Sequence, residues 1–266
     1  MRSFVALGDS FTEGLHDDLG PTGRHLGWAD RVAAALAAQN GGLRYANLAV
    51  RGRLLDQVIR EQLPAATGLR PDLVSFHAGP NDCLRPRTRV PSLLVRYEAA
   101  VADLRATGAR TVLFTVIERA GGTGRTADRL AARFQAFNDG VRSVAERYGC
   151  VLVDVGCVPA LQDRRLWHED RLHLAPTGHI RVAAAVLEQL GVTDESVFGA
   201  VAGGWRDPLP EVVRRRRGGD LLADARWVRR YFLPWVGRRL RGVSSGDGVA
   251  PKQTELIEIR PPDPVD

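Results

Sequence analysis

Cysteine, lysine and long apolar runs are all scarce in this chain of 266 residues, and each scarcity excludes something. The three cysteines, Cys83, Cys150 and Cys157, are an odd set with no CxxC pair, which argues against a disulfide framework and against a structural zinc site. Their expected state is reduced and mostly buried. No apolar run approaches the ~18 to 20 residues that span a bilayer, and Met1-Arg2-Ser3-Phe4 leads straight into the first apolar stretch, so a cytoplasmic protein is expected. His16, His25, His77, His168 and His179 show neither HxH nor HExxH spacing, and no metal is expected on them. Lysine occurs once, as Lys252, among 37 basic residues, a bias that reads as coding composition rather than selection for nucleic acid.

What is present is apolar material, 44% of the chain, enough for the core of one α/β domain with an appendage. The net charge of +6 is unevenly spread. Residues 205–241 hold eleven arginines against Asp207, Glu211, Asp220 and Asp224, so this stretch alone exceeds the total and the rest of the chain is close to neutral.

Apolar strand-like runs alternate with helical patterns along the first 190 residues. Phe4–Leu7, Arg44–Val50, Leu73–His77, Thr111–Val116 and Val151–Val155 read as strands. Between them Trp28–Ala38, Leu54–Leu63, Ser92–Ala106 and Thr126–Tyr148 read as helices, and an Ala/Val/Leu helix follows His179 and ends at Gly191. This alternation predicts a three-layer α/β/α sandwich around a parallel sheet of about five strands.

Four short blocks carry chemistry. Gly8-Asp9-Ser10-Phe11-Thr12-Glu13-Gly14 breaks the first strand at its carboxyl end, where open α/β sheets place their ligands. Asp170 and His173 stand three apart, so in a loop the carboxylate can fold back on imidazole Nδ1 and leave Nε2 to face a hydroxyl. A serine needs such a base, and the base needs an orienting carboxylate. Gly52 and Asn81, each in a loop after a strand, can supply N–H donors to an oxyanion. Taken singly, each block also fits a turn, a helix entry or an ordinary loop histidine.

In that order, Ser10, Gly52, Asn81 and His173 resemble the four invariant positions of the SGNH hydrolases, the GDSL lipase and esterase superfamily. GDSFTEG is similar to the first block, NLAVRG to the second, GPND to the third and DRLH to the last. The resemblance covers residues 1 to about 192 and implies a flavodoxin-like sheet domain. It implies Ser10 as nucleophile, His173 as base and then acid, Asp170 as its orienter, and the Ser10 N–H, the Gly52 N–H and the Asn81 amide as oxyanion donors. No cofactor or metal is implied. Pro80 stands where a second glycine is common and Cys83 where an aliphatic residue is common, which bears on pocket shape near Asn81. Asp9 and Asp82 are expected to brace loops. The implied activity is hydrolysis of a small intracellular acyl or acetyl ester through an acyl-enzyme, falling as the pH drops through the histidine's pKa, about 6.5 for an unperturbed imidazole.

The chain then divides into a hydrolase domain over 1–198, a basic amphipathic helical appendage over 199–243 with a break at Pro234, and a tail over 244–266 expected to be disordered from its Gly, Pro and charge. Trp227, Phe232 and Trp235 are expected to dock on the domain; the second reading is contact with an anionic membrane surface. The rival to an enzyme is a non-catalytic protein that binds nucleic acid or anionic lipid through the arginine-rich segment. A near-neutral body and no nucleic-acid motif speak against a nucleic-acid partner.

Overall fold

Strand β1 (Ser3–Gly8) is buried over its whole length, as a strand covered on both faces must be. The computed structural model describes residues 1–117, 124–192, 204–211 and 220–261. Among these, β1 lies inside a six-stranded sheet of order β5-β4-β3-β1-β2-β6, with β2 at Leu43–Asn47, β3 at Leu73–His77, β4 at Arg110–Phe114, β5 at Val151–Val153 and β6 at Gln253–Ile259. The first five strands are mutually parallel. The chain runs from β1 to β2 on one side and then crosses to β3 on the other. The strand order therefore reverses at β1, and the crevice between the carboxyl ends of β1 and β3 is the topological switch point where such sheets bind ligands.

Alternate side chains of each strand feed two cores. Phe4 and Ala6 pack with Phe114 against α2 (Gly27–Asn40) and α8 (Pro176–Leu190). Val5 and Leu7 pack with Phe76 and Leu113 on the opposite face, under α3 (Leu55–Glu61), α4 (Leu63–Leu69), α6 (Val90–Ala106) and α7 (Arg125–Arg147). Each fully buried side chain of this size contributes roughly 1.5–3 kcal/mol relative to exposure, so both layers are needed to hold the sheet. Two short helical turns complete the body, α1 (Ser10–Glu13) and α5 (Pro80–Cys83), one at each lip of the crevice.

Several expectations need correction. The tail is ordered over 253–259: β6 pairs antiparallel with β2, matching Leu43 with Ile259 and Tyr45 with Ile257. The outer edge of β2 would otherwise leave its backbone groups unpaired, and this heptapeptide, with Leu256, Ile257 and Ile259 among polar residues, covers it. The body also extends beyond its expected end. Trp205 is buried, its Nε1–H donates to Glu188 on α8 at 2.8 Å, and Arg181 donates to the carbonyls of Trp205 and Asp207, so residues 204–211 belong to the sheet domain. Cys83 is buried, but Cys150 is half-buried and Cys157 exposed.

Over 220–240 the appendage is helical, as α9 (Asp220–Trp227) and α10 (Leu233–Leu240) joined by one π-helical turn, Val228–Phe232. Proline cannot donate to the helix ladder, and its ring crowds the carbonyl four residues back. Widening the turn before Pro234 relieves both problems, so the helix swells where a break was expected. The run Arg214–Arg217 and most of the Gly121–Gly124 loop lie outside the described residues.

Candidate active site

The nucleophile candidate is presented by the turn that ends β1. Asp9 caps that turn, accepting from the Phe11 N–H at 3.0 Å. Gly8, at φ +152°, passes so close to the His77 carbonyl that any Cβ would collide with it. Gln62 clamps the same residue from the other side, donating to the Gly8 carbonyl at 2.9 Å and accepting from its N–H at 2.8 Å. Ser10 is thereby fixed as the first residue of α1, with a backbone N–H that the helix ladder does not need.

The candidate base, His173, and its candidate orienter, Asp170, come from a small hairpin preceding α8. The Trp167–Leu174 bridge and a His168 N–H to His173 carbonyl bond at 2.9 Å close it, and Arg171 turns its corner at φ +59°. The expected fold-back of DxxH is present. His173 Nδ1 lies 2.6 Å from Asp170 Oδ2, and His173 Nε2 lies 3.0 Å from Ser10 Oγ. Asp170 Oδ1 accepts from the Leu172 and His173 N–H groups at 2.9 and 3.1 Å. Burial alone would raise the Asp170 pKa, but hydrogen bonds from His16 and His173 outweigh it and hold the carboxyl far below the usual range. Asp170 is therefore an anion throughout the working pH range, as an orienter of imidazolium must be.

His16 is the residue that sequence reasoning missed. Its Nε2 lies 3.2 Å from Asp170 Oδ2, and its ring stacks on His168 at 3.7 Å between centroids with 6° between planes. Nothing in the spacing of 16 and 170 signals this pairing; the available hint is that His16 follows the nucleophile by six positions. Potential ligand atoms on His16, Asp170 and His173 lie within 4.8 Å of one another, an approach accounted for by the two imidazole hydrogen bonds to one carboxylate.

The oxyanion candidates lie on loops stitched to the Ser10 turn. Val50 N–H donates to the Gly8 carbonyl at 3.2 Å, and Arg51 donates through its backbone N–H at 2.6 Å and its side chain to the buried Glu13 carboxylate. Gly52, at φ +73°, sits directly under Ser244, whose hydroxyl would collide with any Cβ there and donates to the Gly52 carbonyl at 3.3 Å. Asn81 Nδ2 donates to Asp9 at 3.1 Å and to the Arg53 carbonyl at 3.0 Å, so both amide hydrogens are engaged in the free protein. Asp82 accepts from the Leu55 N–H at 2.9 Å, and burial raises its pKa. Asp9 and Asp82 thus serve as loop braces, the role their sequence positions suggested.

Ser10, Asn81 and His173 open on a cavity of about 100 Å³ walled by Phe11, Leu84, Ile117, Phe134, Trp167 and Leu172. Gly52 stands outside its lining, on the neighbouring loop. The C-terminal segment reaches both arms of the site, a feature invisible in the sequence. Trp227 Nε1–H donates to the Asp170 carbonyl at 2.8 Å, and Tyr231 O–H donates to Glu169 at 3.2 Å. Of the aromatic residues expected to dock, Trp227 does so on the acid–base hairpin, whereas Phe232 is largely exposed with Leu233 beside it. Among the described residues no helix is long and apolar enough to cross a membrane.

A model of the GDSL-like Lipase/Acylhydrolase family matches residues 6–181. Among curated proteins none matches the chain. The solved structure of TesA superposes with a TM-score of 0.59 at 22% identity, over 74% of this chain and 99% of that one. The psychrotrophic esterase EstA from Pseudoalteromonas sp., inhibited by monoethylphosphonate, gives 0.57 at 16% identity, over 72% and 97%. Axe2, an acetylxylan esterase from Geobacillus stearothermophilus, gives 0.58 at 19% identity, over 71% and 94%. At these identities the three structures speak to the fold.

Proposed function

The chain belongs to the GDSL-like lipase/acylhydrolase family, and on that footing we propose that it is a serine hydrolase of small, short-chain acyl esters that works through an acyl-enzyme on Ser10. Membership and the esterase neighbours carry ester hydrolysis as such. The observation that carries the finer reading is the relay from Ser10 Oγ through His173 to Asp170, with bonds of 3.0 and 2.6 Å.

In the forward step Ser10 Oγ bonds to the acyl carbon while His173 Nε2 takes its proton, and Asp170 steadies the resulting imidazolium. The oxyanion falls to the Ser10 N–H and the Asn81 amide, which shares a hydrogen now held by Asp9 or the Arg53 carbonyl, with Gly52 as the third donor. Each donor contributes a factor of roughly 10² to 10³. His173 then protonates the leaving alcohol, and a water activated by the same nitrogen releases the acid.

Cavity size supports a short acyl group. The cavity of about 100 Å³ beside Ser10 is small and walled by apolar side chains, which suits a small acyl group. The test is a rate series on p-nitrophenyl esters from acetate to octanoate with wild type and Ser10→Ala. Turnover that peaks at the short end and drops by a factor of about 10⁴ in the variant is expected. A rate peaking at octanoate contradicts the acyl length, and a fully active variant contradicts the mechanism.

A further inference from the structure

We propose that His16 is a positioning residue for this hydrolysis, holding Asp170 Oδ2 in line with His173 and drawing part of the carboxylate's charge away from it. The proposal rests on the serine-hydrolase reading above. An ionised carboxylate has about four acceptor sites, and Asp170 fills four: Oδ1 takes the Leu172 and His173 N–H groups, while Oδ2 takes His173 Nδ1 at 2.6 Å and His16 Nε2 at 3.2 Å. The catalytic bond and the His16 bond therefore compete for one oxygen.

His16 is held to this place from several sides. Its backbone is left-handed, at φ +70°, a conformation that costs energy for a residue other than glycine and that Asn adopts more readily. Its ring lies flat on His168, with His25 at 6.0 Å and the His173 ring at 5.4 Å. The charges facing it are few. Asp170 is the carboxylate in contact with it; Asp17, next along the chain, is taken up by Arg31, and Glu169 is taken up by Tyr231 and Arg230. Three imidazoles, His16, His168 and His173, thus converge on Asp170. His16 is absent from the cavity lining, so it acts through Asp170 rather than on substrate.

The sign of the effect does not depend on whether His16 donates as a neutral ring or as a cation. Either way it withdraws negative charge from the oxygen that stabilises imidazolium at His173. Removing the donor strengthens that stabilisation, so His173 holds its proton to higher pH and becomes a base later. The lost restraint on Oδ2 also lets the His173 ring wander, which lowers kcat and leaves KM alone.

The test is a pair of variants, His16→Asn and His16→Gln, with kcat and KM on p-nitrophenyl acetate from pH 5 to 9 and a melting curve for each. Asn suits the left-handed backbone but falls short of Oδ2; Gln reaches it with a neutral N–H. Expected for His16→Asn are a kcat lower by about tenfold, a KM within about twofold, and an acid limb of kcat/KM moved upward by about 0.5 to 1 pH unit. His16→Gln restores kcat to within about threefold of wild type. An Asn variant with an unmoved acid limb, or a loss appearing in KM, overturns the proposal. Should that variant not fold, a kcat lowered more than tenfold in the Gln variant overturns it. A wild type whose Ser10 resists a fluorophosphonate probe overturns the serine reading beneath it.

Discussion

The sheet domain and the C-terminal segment are held by different physics. In the domain, strands and helices bury two continuous apolar layers, and the loops of the candidate site hang from strand ends that those layers immobilise. The segment over 220–261 buries little. It is attached mainly through polar contacts, among them Trp227 on the His173 hairpin, Ser244 on the Gly52 loop, Lys252 on Asp30 and the His25 and Leu26 carbonyls, and β6 on the edge of β2. The difference separates two jobs. The domain places the proposed reacting groups, and the segment contacts the loops that carry them.

Variants can break or sharpen this contrast. The largest effect is expected at Gly246, where any Cβ would run into the Arg51 carbonyl. Gly246→Val should push the Ser244 turn off the Gly52 loop and, if Gly52 is the donor proposed above, lower kcat by about tenfold with a smaller change in KM, the cost of disturbing one such donor in part. Stopped-flow turnover with p-nitrophenyl acetate measures it, and wild-type kinetics would show that the segment braces nothing.

A milder loss is expected at Trp227. Phenylalanine keeps the ring under Arg171, which lies 4.9 Å above it, and removes the N–H that anchors Asp170. One hydrogen bond is worth about 1 kcal/mol net, so Trp227→Phe should cost about threefold to fivefold in kcat and leave the melting temperature within a few degrees.

How far the chemistry could be read from the sequence follows from the same contrast. The meeting of Ser10, His173 and Asp170, with Asn81 on the same cavity, was legible because each sits in a short block with its own local logic: a glycine-flanked turn after a strand, or a carboxylate three residues before an imidazole; Gly52 lies on the neighbouring loop. The sheet was legible because burial on both faces writes continuous apolar runs such as Phe4–Leu7. His16 was not, since its partnership with Asp170 joins two loops and leaves no periodic trace. Strand β6 was masked by the Gly, Pro and charge that flank it, although Leu256, Ile257 and Ile259 are ordinary strand residues. The engagement of both Asn81 hydrogens, by Asp9 and Arg53, was equally invisible.

The smallest effect belongs to the domain alone and is one of pH. Burial pushes the His179 imidazole down from 6.5 to about 4. Between those values the unfolded chain takes a proton that the folded chain refuses, so this group makes the fold less stable as the pH falls through that window. Asp30, pushed up to about 6 by burial, works in the opposite sense over much of the same range. His179→Gln can keep the bond to the Leu15 carbonyl, now 3.3 Å, while abolishing the titration. Its melting temperature should fall less than that of wild type between pH 6.5 and 4, and equal slopes would remove His179 from the account.

The proposed activation of Ser10 by His173 is the step on which the rest of the chemistry depends. A fluorophosphonate probe followed by peptide mass spectrometry, on wild type and His173→Ala, tests it most directly. The expected result is an adduct on the peptide carrying Ser10 in wild type and a sharply lower yield in the variant. No adduct on Ser10, or one formed equally well without His173, would contradict it.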